Sequence, residues 1–166
     1  MTYFTKAEIK QFHILSKKDI KTYIKDGCDY MNLKTVYKCF LLTNKAKVVT
    51  TDDLQIQFFT YYNTICHMFH PNKHNTIFVD KGAQKALERG AYVMAPGITK
   101  YIYKQPNFDK DEIVYISLYD NTVGVLFGIG ITLMSRQECI QLNNGSAINV
   151  LYINDDSLNK IVSSTK

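Results

Sequence analysis

A polar break near the middle of the chain limits what these 166 residues can fold into. Residues 71–75 (PNKHN) combine a proline with four polar residues, and strand-like patterns lie on both sides of them. Proline also disfavours helical geometry in the residue before it, so a helix that reaches this point must end. Because 46% of the residues are apolar, each side can build a core of its own. The sequence therefore predicts two domains, residues 1–75 and residues 76–166.

The first half has the pattern of a small α/β domain. Ser16 can cap a helix whose apolar residues recur at helical spacing, and Gly27 is a plausible end for it. Three runs of β-branched and aromatic residues follow, at 36–42, 46–50 and 54–59. They predict an antiparallel meander. We expect a second helix over residues 60–69, which ends before Pro71.

The second half alternates strands with short helices. The predicted strands are 76–79, 91–94, 113–119, 123–133, 147–153 and 158–162, and the predicted helices are 81–88 and 135–142. Asp80 is the predicted cap of the first helix and Gly90 its end, Pro96-Gly97 is a turn signal, and Ser135 with Glu138 forms a capping box. This order predicts a small mixed barrel sealed by helices, with Gly124, Gly128 and Gly130 at tight strand bends.

The charge distribution points to a phosphate-rich partner. The net charge is +5, and residues 1–75 carry all of the excess, with 11 Lys against 6 Asp and Glu. In the second half, positive charge is concentrated between residues 81 and 104, where Glu88 is the only acid. No apolar run approaches the ~20 residues that span a bilayer, and the four cysteines sit singly, as in reduced intracellular proteins. We expect a cytoplasmic protein that does not contact membranes.

Two basic stripes are candidate binding sites. On a helix, Lys81, Lys85 and Arg89 fall on one side, opposite Ala83, Ala86 and Leu87, and Gly90 lets a ligand approach the backbone. The second stripe consists of Lys17, Lys18, Lys21 and Lys25 on the first helix. Either stripe could also be an ordinary solvated helix face.

Catalytic and metal sites are not indicated. Cys66, His67, His70 and His74 are potential zinc ligands, but Pro71 interrupts the helix that would align the histidines. No nucleophile elbow, phosphate loop or paired-carboxylate pattern is present. We expect neither a metal nor a cofactor, and we do not expect an enzyme.

A family resemblance covers roughly residues 76–162. The segment 78–98 contains V-D-x-G-A followed by G-A-x-V-M-x-P-G-I, and residues 125–135 (VLFGIGITLMS) and 147–155 (AINVLYIND) continue the pattern. These motifs resemble the signature of PUA domains, named for pseudouridine synthases and archaeosine transglycosylases. The resemblance implies a PUA-type pseudo-barrel that binds RNA through the helix after its first strand and the strand that follows. The residues carried over to that surface are Lys81, Lys85, Arg89, Gly90, Ala91, Pro96, Gly97, Lys100 and Lys104.

The first half of the sequence narrows the resemblance to one group of proteins that contain a PUA domain. Residues 12–20 (FHILSKKDI) are similar to the opening of archaeal proteins in which a small α/β domain, the pre-PUA domain, precedes a PUA domain. Their eukaryotic relatives are the malignant T-cell-amplified sequence proteins. The chain lacks the tryptophan common in the last strand of that family, and Leu158 stands in the equivalent place.

The resemblance implies a role in translation. Members of that family bind the small ribosomal subunit and promote re-initiation and recycling of deacylated tRNA with a partner of the density-regulated protein type. It therefore implies small-subunit rRNA, tRNA and such a protein as partners, with the lysines of the first helix as a candidate ribosome contact. We expect the chain alone to be a monomer. Two alternatives stay open: a ribosome-biogenesis factor of the Nip-seven type that binds pre-ribosomal RNA, and an RNA-guiding subunit of an RNA-modification complex.

Overall fold

The computed structural model describes residues 3–70, 72–155 and 157–164, and the chain divides into two units. One unit, called the N-terminal unit below, contains Lys6–Met68 and the described residues after Asp155. The other, called the C-terminal unit below, contains Phe69–Asp155 and the described residues up to Thr5. Pro71, at which we placed a helix end and the start of the interdomain break, lies outside the described residues. The division into separately folding domains at residues 75 and 76 stays a prediction.

The N-terminal unit is built on a five-stranded antiparallel meander, which confirms the predicted topology. Its strands are β1 (Ile9–Ile14), β2 (Tyr37–Leu42), β3 (Lys47–Thr51), β4 (Ile56–Tyr61) and β5 (Thr64–His67), and they pair in that order. The sequence predicted β2 to β4 but not β1 or β5. The apolar residues of β1 do not alternate regularly, because its pairing with β2 is interrupted by a bulge between Ile9 and Gln11.

One helix covers the middle of this sheet. Helix α1 (Lys17–Lys25) begins at Ser16, whose hydroxyl accepts a hydrogen bond from the Asp19 backbone, so the predicted cap is confirmed. The side chain of Ile20 packs in a buried cluster with residues of β2, β3 and β4, including Cys39 and Phe58. The predicted end is also confirmed, because Gly27 has a φ of +114° just after the helix.

The predicted helix over residues 60–69 is wrong. These residues form the end of β4, a tight turn and β5, with Thr60 opposite Ile65 and Phe59 opposite Cys66. Tyr62 adopts a φ of +53° in the turn, which reverses the chain. The β-branched and aromatic residues here favour a hairpin that adds to an existing sheet over an isolated short helix.

The predicted strand over residues 158–162 is also wrong. Helix α5 (Ser157–Ser163) occupies this segment and belongs to the N-terminal unit. Leu158 and Val162 are buried and lie four residues apart, which is the spacing of one helix face. The proposed equivalence of Leu158 to a last-strand tryptophan therefore fails.

The C-terminal unit is a mixed sheet with helices, which confirms the predicted fold class. Its strands are β6 (Asn75–Asp80), β7 (Val93–Met94), β8 (Ile113–Tyr119), β9 (Gly124–Thr132) and β10 (Ser146–Ile153). Their spatial order is β6-β8-β9-β10-β7, with β6 parallel to β8 and the remaining pairs antiparallel. The helices are α2 (Gln84–Glu88), α3 (Ala95–Thr99) and α4 (Arg136–Leu142), with 3₁₀ turns at Lys81–Ala83 and Ile102–Lys104. The predicted capping box of Ser135 and Glu138 is present at the start of α4.

Two glycines allow neighbouring strands to approach closely. A Cβ atom on Gly128 would lie 2.4 Å from the backbone oxygen of Tyr152, and one on Gly130 would lie 2.5 Å from the Ile148 side chain. Both glycines lie in β9 where it pairs with β10. The tight strand bends expected at Gly124, Gly128 and Gly130 stay a prediction, and what the structure shows at Gly128 and Gly130 is the close approach of two strands.

Two local predictions in the C-terminal unit need correction. Pro96 and Gly97 lie in α3 rather than in a turn, with Pro96 in the first turn of the helix, where its missing N–H costs nothing. Ala86 is exposed, whereas we placed it on the buried side with Ala83 and Leu87. The reason is that the segment starts as a 3₁₀ turn, which changes the phase of the helix face.

Two further features are the state of the cysteines and the length and polarity of the helices. All four cysteines lie among the described residues, and all four are buried without a disulfide. In the described part of the chain, no helix has both the length and the apolar character needed to cross a bilayer.

Candidate nucleic-acid interface

Lys85 and Arg89 form an exposed basic pair on α2. They are four residues apart, so they project from the same side of the helix, and Leu87 anchors the opposite side in the core. Arg89 is the C-terminal cap, and its backbone N–H donates to the carbonyl oxygens of Lys85 and Ala86. Neither side chain forms an ion pair with any residue that the structure describes. Both positive charges are therefore available to a ligand.

Lys81 has a different environment from the other two cations. It is exposed in the 3₁₀ turn before α2 and lines a cavity together with Gln84 and Glu88. Its charge is one of the influences that lower the pKa of Asp120 to about 2, after the stronger hydrogen bonds from Thr122 and Val123. Lys81 therefore faces a carboxylate of its own domain.

Three residues that follow Arg89 form the surface next to the basic pair. Gly90 adopts a φ of +97°, a conformation that side chains disfavour, and its N–H donates to the Leu87 carbonyl oxygen. Ala91 is exposed, and the next residue, Tyr92, is also exposed. Sequence reasoning did not select Tyr92, although an aromatic ring beside a basic helix end is a typical stacking surface for bases.

Pro96 and Gly97 lie on the first turn of α3. Pro96 is exposed and Gly97 is partly exposed. A Cβ atom added to Gly97 would meet nothing within 4 Å, so the packing of the protein does not require glycine here. The space beside Gly97 is open to a ligand.

Lys100 forms an ion pair within its own domain. Its ammonium lies 3.2 Å from a carboxylate oxygen of Asp80, and it also lies over the Tyr101 ring. The hydrogen bond between the two side chains lowers the pKa of Asp80 and raises the pKa of Lys100. Asp80 occupies the predicted N-cap position, at the start of the 3₁₀ turn, but its side chain makes no capping hydrogen bond and pairs instead with a cation at the end of α3.

Lys104 lies over two aromatic rings. Its ammonium is 4.7 Å from the centre of the Tyr119 ring and 5.3 Å from the centre of the Phe78 ring. Such cation–π contacts hold a positive charge against apolar surface. Lys104 is exposed, so it can still contact a phosphate, but the structure gives it a role in packing as well.

A buried glutamine positions the loop that carries Lys100 and Lys104. The Gln105 side chain accepts a hydrogen bond from the Phe78 N–H at 2.9 Å and donates to the Phe78 carbonyl oxygen at 2.7 Å. It also donates to the Ile98 carbonyl oxygen at 3.0 Å. Gln105 therefore attaches this loop to β6 and α3. Sequence reasoning missed it because a polar residue in a long connection gives no signal of burial.

A cavity of about 430 Å³ opens beside α2 in the C-terminal unit. Its wall includes two exposed residues, Val123 just before β9 and Val125 at the start of β9. Three acidic residues, Glu88, Asp120 and Asp155, also line it. Because the pKa of Asp120 is lowered to about 2, that carboxylate is ionised at neutral pH. The cavity thus combines an apolar wall with hydrogen-bond acceptors.

The lysines of α1 belong to the N-terminal unit. Lys17, Lys18, Lys21 and Lys25 are all exposed along this helix. Lys18 also accepts a hydrogen bond at its carbonyl oxygen from the Thr22 side chain. The structure therefore places the second basic stripe on a solvated surface.

The cysteine and histidines weighed as metal ligands have other surroundings. His67 Nδ1 lies 2.7 Å from the Tyr30 hydroxyl, and burial raises the pKa of Cys66 to about 12. Both lie in the N-terminal unit, whereas His70 and His74 lie in the C-terminal one. Within the described ranges, no group of three or more His, Cys, Asp or Glu side chains could hold a metal ion.

Comparison with known proteins defines the class of the C-terminal unit. The PUA domain family matches residues 75–153. Residues 75–153 are therefore a PUA domain, and β6 to β10 lie within it. This confirms the resemblance seen in the sequence motifs of the second half.

Relatives extend the similarity beyond that domain. An uncharacterized protein of Methanocaldococcus jannaschii is 29% identical over 160 residues, which cover 89% of this chain and 95% of that protein. The translation machinery-associated protein 20 of Saccharomyces cerevisiae is 32% identical over 97 residues, covering 57% of this chain. That match covers 52% of the yeast protein, so it spans about half of its length.

Solved structures support the fold of both units. A hypothetical protein from Pyrococcus horikoshii has a TM-score of 0.68 at 23% identity, with 91% of this chain and 99% of that chain covered. A conserved PUA domain protein from Thermoplasma acidophilum has a TM-score of 0.65 at 17% identity, with 92% and 99% covered. At these identities the likeness shows the fold alone.

Proposed function

We propose that this protein is a non-catalytic RNA-binding protein of the translation machinery. The observation that carries the proposal is the pair Lys85 and Arg89, which is exposed on α2 of a PUA domain without an ion-pair partner among the described residues. Two cations one helical turn apart, about 6 Å along the axis, can contact phosphates of one RNA strand. Arg89 can also bind a phosphate bidentately or stack on a base.

The surface next to this pair completes the proposed RNA site. Half-buried Gly90 and exposed Ala91 follow Arg89, and Tyr92 offers an exposed ring on which an unpaired base can stack. Pro96 and Gly97 add a second exposed turn. Lys100 and Lys104 are weaker candidates, because each already has partners within the domain.

The cavity beside α2 suits an unstacked base. Its apolar wall at Val123 and Val125 can pack against a base, and the carboxylates of Glu88 and Asp120 can accept hydrogen bonds from an amino group. Lys81 lines the same cavity but faces the Asp120 carboxylate, so it is a weaker candidate for a phosphate contact than Lys85 and Arg89. Single-stranded RNA therefore fits this surface better than a duplex, whose bases are stacked.

A role in translation is supported by similarity. A yeast relative carries the name translation machinery-associated protein, and the motifs at residues 12–20 resemble the malignant T-cell-amplified sequence family. We therefore propose the rRNA of the small ribosomal subunit, tRNA, or both as the RNA partner, in re-initiation or recycling. A density-regulated-protein-like protein is the proposed protein partner. The lysines of α1 are the proposed second contact with the ribosome.

Ribosome fractionation tests this function. The tagged full-length chain is crosslinked in cells and separated on a sucrose gradient, and the crosslinked RNA is sequenced. We expect small subunits and tRNA. A variant in which Lys85→Glu and Arg89→Glu are combined should leave the ribosomal fractions, whereas Lys110→Glu, an exposed cation of the same unit, should not.

The same experiment separates the alternatives. Crosslinks to precursors of the large subunit would favour a ribosome-biogenesis role of the Nip-seven type. Crosslinks away from ribosomes, on RNAs that carry modified bases, would favour an RNA-guiding subunit. Either outcome would contradict a role in re-initiation.

A further inference from the structure

The β1 strand leaves one edge of the N-terminal sheet open. It pairs with β2 on one side, and no strand in the described part of the chain lies on its other side. Its side chains are unusually exposed for apolar residues: Phe12 is 48% exposed and Ile14 is 61% exposed. Exposed apolar edges are normally avoided, because they invite pairing with another chain.

The backbone of the same two residues points outward. Leu15 N–H donates to the Tyr37 carbonyl oxygen at 2.9 Å, so Leu15 and Tyr37 form a hydrogen-bonded pair of the antiparallel ladder. Hydrogen-bonded and non-hydrogen-bonded pairs alternate along such a ladder. Ile14, opposite Lys38, and Phe12, opposite Phe40, are therefore the non-bonded pairs, and their N–H and C=O groups face away from β2.

The exposed side chains form one apolar strip. Phe12 and Ile14 project from the same face of the sheet, since they are two residues apart. Val36, just before β2, has the same parity as Lys38 and is 47% exposed. Phe12 also stacks on the buried ring of Phe40, which fixes its orientation. Backbone groups and apolar side chains are thus presented together, as strand addition requires.

The positive charge around this edge favours an acidic partner. Residues 6–25, which include β1 and α1, carry six Lys against two acidic residues, Glu8 and Asp19. An acidic strand would be attracted to this edge, whereas pairing of two copies of β1 would bring their lysines together. Charge therefore favours a different protein over a second copy of this chain.

We propose that β1 binds an extended acidic segment of a partner protein as a sixth strand of the N-terminal sheet. The segment alternates apolar and acidic residues, so that its apolar side chains pack beside Phe12 and Ile14. Its backbone hydrogen bonds go to the outward groups of the same two residues. This surface lies in the N-terminal unit and does not depend on RNA binding by the PUA domain.

A synthetic peptide tests the proposal with the full-length chain. The probe is an acetylated and amidated eight-residue peptide in which Glu alternates with Val or Ile. Titration followed by backbone amide NMR should shift the signals of β1, and the same peptide with Lys in place of Glu should bind at least tenfold more weakly. Shifts confined to other elements would overturn the proposal.

The variant Ile14→Pro removes one outward N–H without removing a bond to β2. Proline is tolerated in edge strands when its N–H would face solvent, so the fold should persist. We expect at least a tenfold loss of peptide affinity. The matched control is His13→Ala, because the backbone groups of His13 bond to β2 and do not face outward. This variant should keep wild-type affinity for the peptide. Equal affinity for Ile14→Pro would overturn strand addition.

Two further measurements, peptide affinity of a serine variant and sedimentation equilibrium, also test the proposal. If Ile14→Pro does not fold, Phe12→Ser combined with Ile14→Ser removes the apolar strip and should weaken the peptide at least tenfold, and unchanged affinity would overturn the proposal. Sedimentation equilibrium should show a monomer. A concentration-dependent dimer that the serine variant abolishes would assign the edge to a second copy and overturn the acidic partner.

Discussion

The Asp80 carboxylate lies 3.2 Å from the Lys100 ammonium and accepts a hydrogen bond from the Tyr101 hydroxyl at 3.2 Å. This contact joins the end of β6 to the end of α3. It also gives a partner to a lysine that the family resemblance assigned to RNA. The structure therefore ranks the cations of the PUA domain, with Lys85 and Arg89 ahead of Lys100.

The ranking predicts the effect of removing Lys100. Lys100→Ala should weaken RNA binding less than Arg89→Ala, because an ammonium already paired with a carboxylate attracts a phosphate less strongly. The loss of stability should be small, since both side chains of the ion pair are about half exposed to solvent. Fluorescence anisotropy with a labelled RNA, together with urea unfolding, measures both effects. A larger loss of affinity for Lys100→Ala would reverse the ranking.

Stability should fall with acid through two carboxylates. Hydrogen bonds from Thr122 and Val123 lower the pKa of Asp120 to about 2, and Lys100 lowers the pKa of Asp80. A carboxylate with a lowered pKa stabilises the folded state above its unfolded pKa, and this contribution is lost as the pH falls through the folded value. We expect the free energy of unfolding to decline between about pH 4 and pH 2, and the decline to be shallower in Asp120→Asn. Parallel curves for the variant and the wild type would contradict this.

Gly128 and Gly97 should respond differently to alanine. In Gly128→Ala the new Cβ would meet the Tyr152 backbone oxygen at 2.4 Å, which forces β9 away from β10. We expect a loss of about 1–3 kcal/mol in the free energy of unfolding, the usual cost of overpacking. Gly97→Ala places a methyl group in open space and serves as the control, with stability close to the wild type. Equal melting temperatures for the two variants would contradict this account of β9.

Gln105 should be essential for the loop between α3 and β8. Gln105→Ala leaves the Phe78 N–H and two carbonyl oxygens without their side-chain partner. Leaving a buried polar group unsatisfied costs about 1–3 kcal/mol, and we expect a loss at least of that size in urea unfolding. Gln105→Glu keeps the acceptor but places a carboxylate beside two carbonyl oxygens, so it should also destabilise. A neutral result for both variants would show that the loop does not depend on these bonds.

Local signals in the sequence predicted much of the fold. Ser16 and Ser135 marked two helix starts, because a capping hydroxyl acts within three residues. The runs at β2, β8, β9 and β10 were long enough to be recognised by composition alone. The PUA motifs identified the C-terminal unit because they extend across several elements at fixed spacing.

Tertiary context decided the elements that the sequence missed. Residues 60–67 pair with an existing sheet, and Leu158 and Val162 are buried in the N-terminal unit. Both outcomes depend on residues that are distant in sequence. In the candidate site, the sequence named Lys85, Arg89 and Gly90 through the motif. It could not reveal the ion pair of Lys100 or the exposure of Tyr92, since neither leaves a local pattern.

The affinity of the full-length chain for RNA, measured against salt concentration, tests the central claim most directly. The comparison is wild type, Arg89→Ala, Lys85→Ala combined with Arg89→Ala, and Lys110→Ala as the matched control, each titrated with deacylated tRNA and with small-subunit rRNA fragments. Arg89→Lys is included because lysine keeps the charge but not the planar fork.

The account predicts a loss of about 1–3 kcal/mol in binding free energy for Arg89→Ala alone, a partial recovery in Arg89→Lys, and an unchanged melting temperature. The double variant should also have a shallower salt dependence, by about one counterion for each lost phosphate contact, while Lys110→Ala behaves as the wild type. Unchanged affinity and salt slope in the double variant would contradict the account, because the basic pair on α2 would then be a solvated surface and not the RNA-binding site.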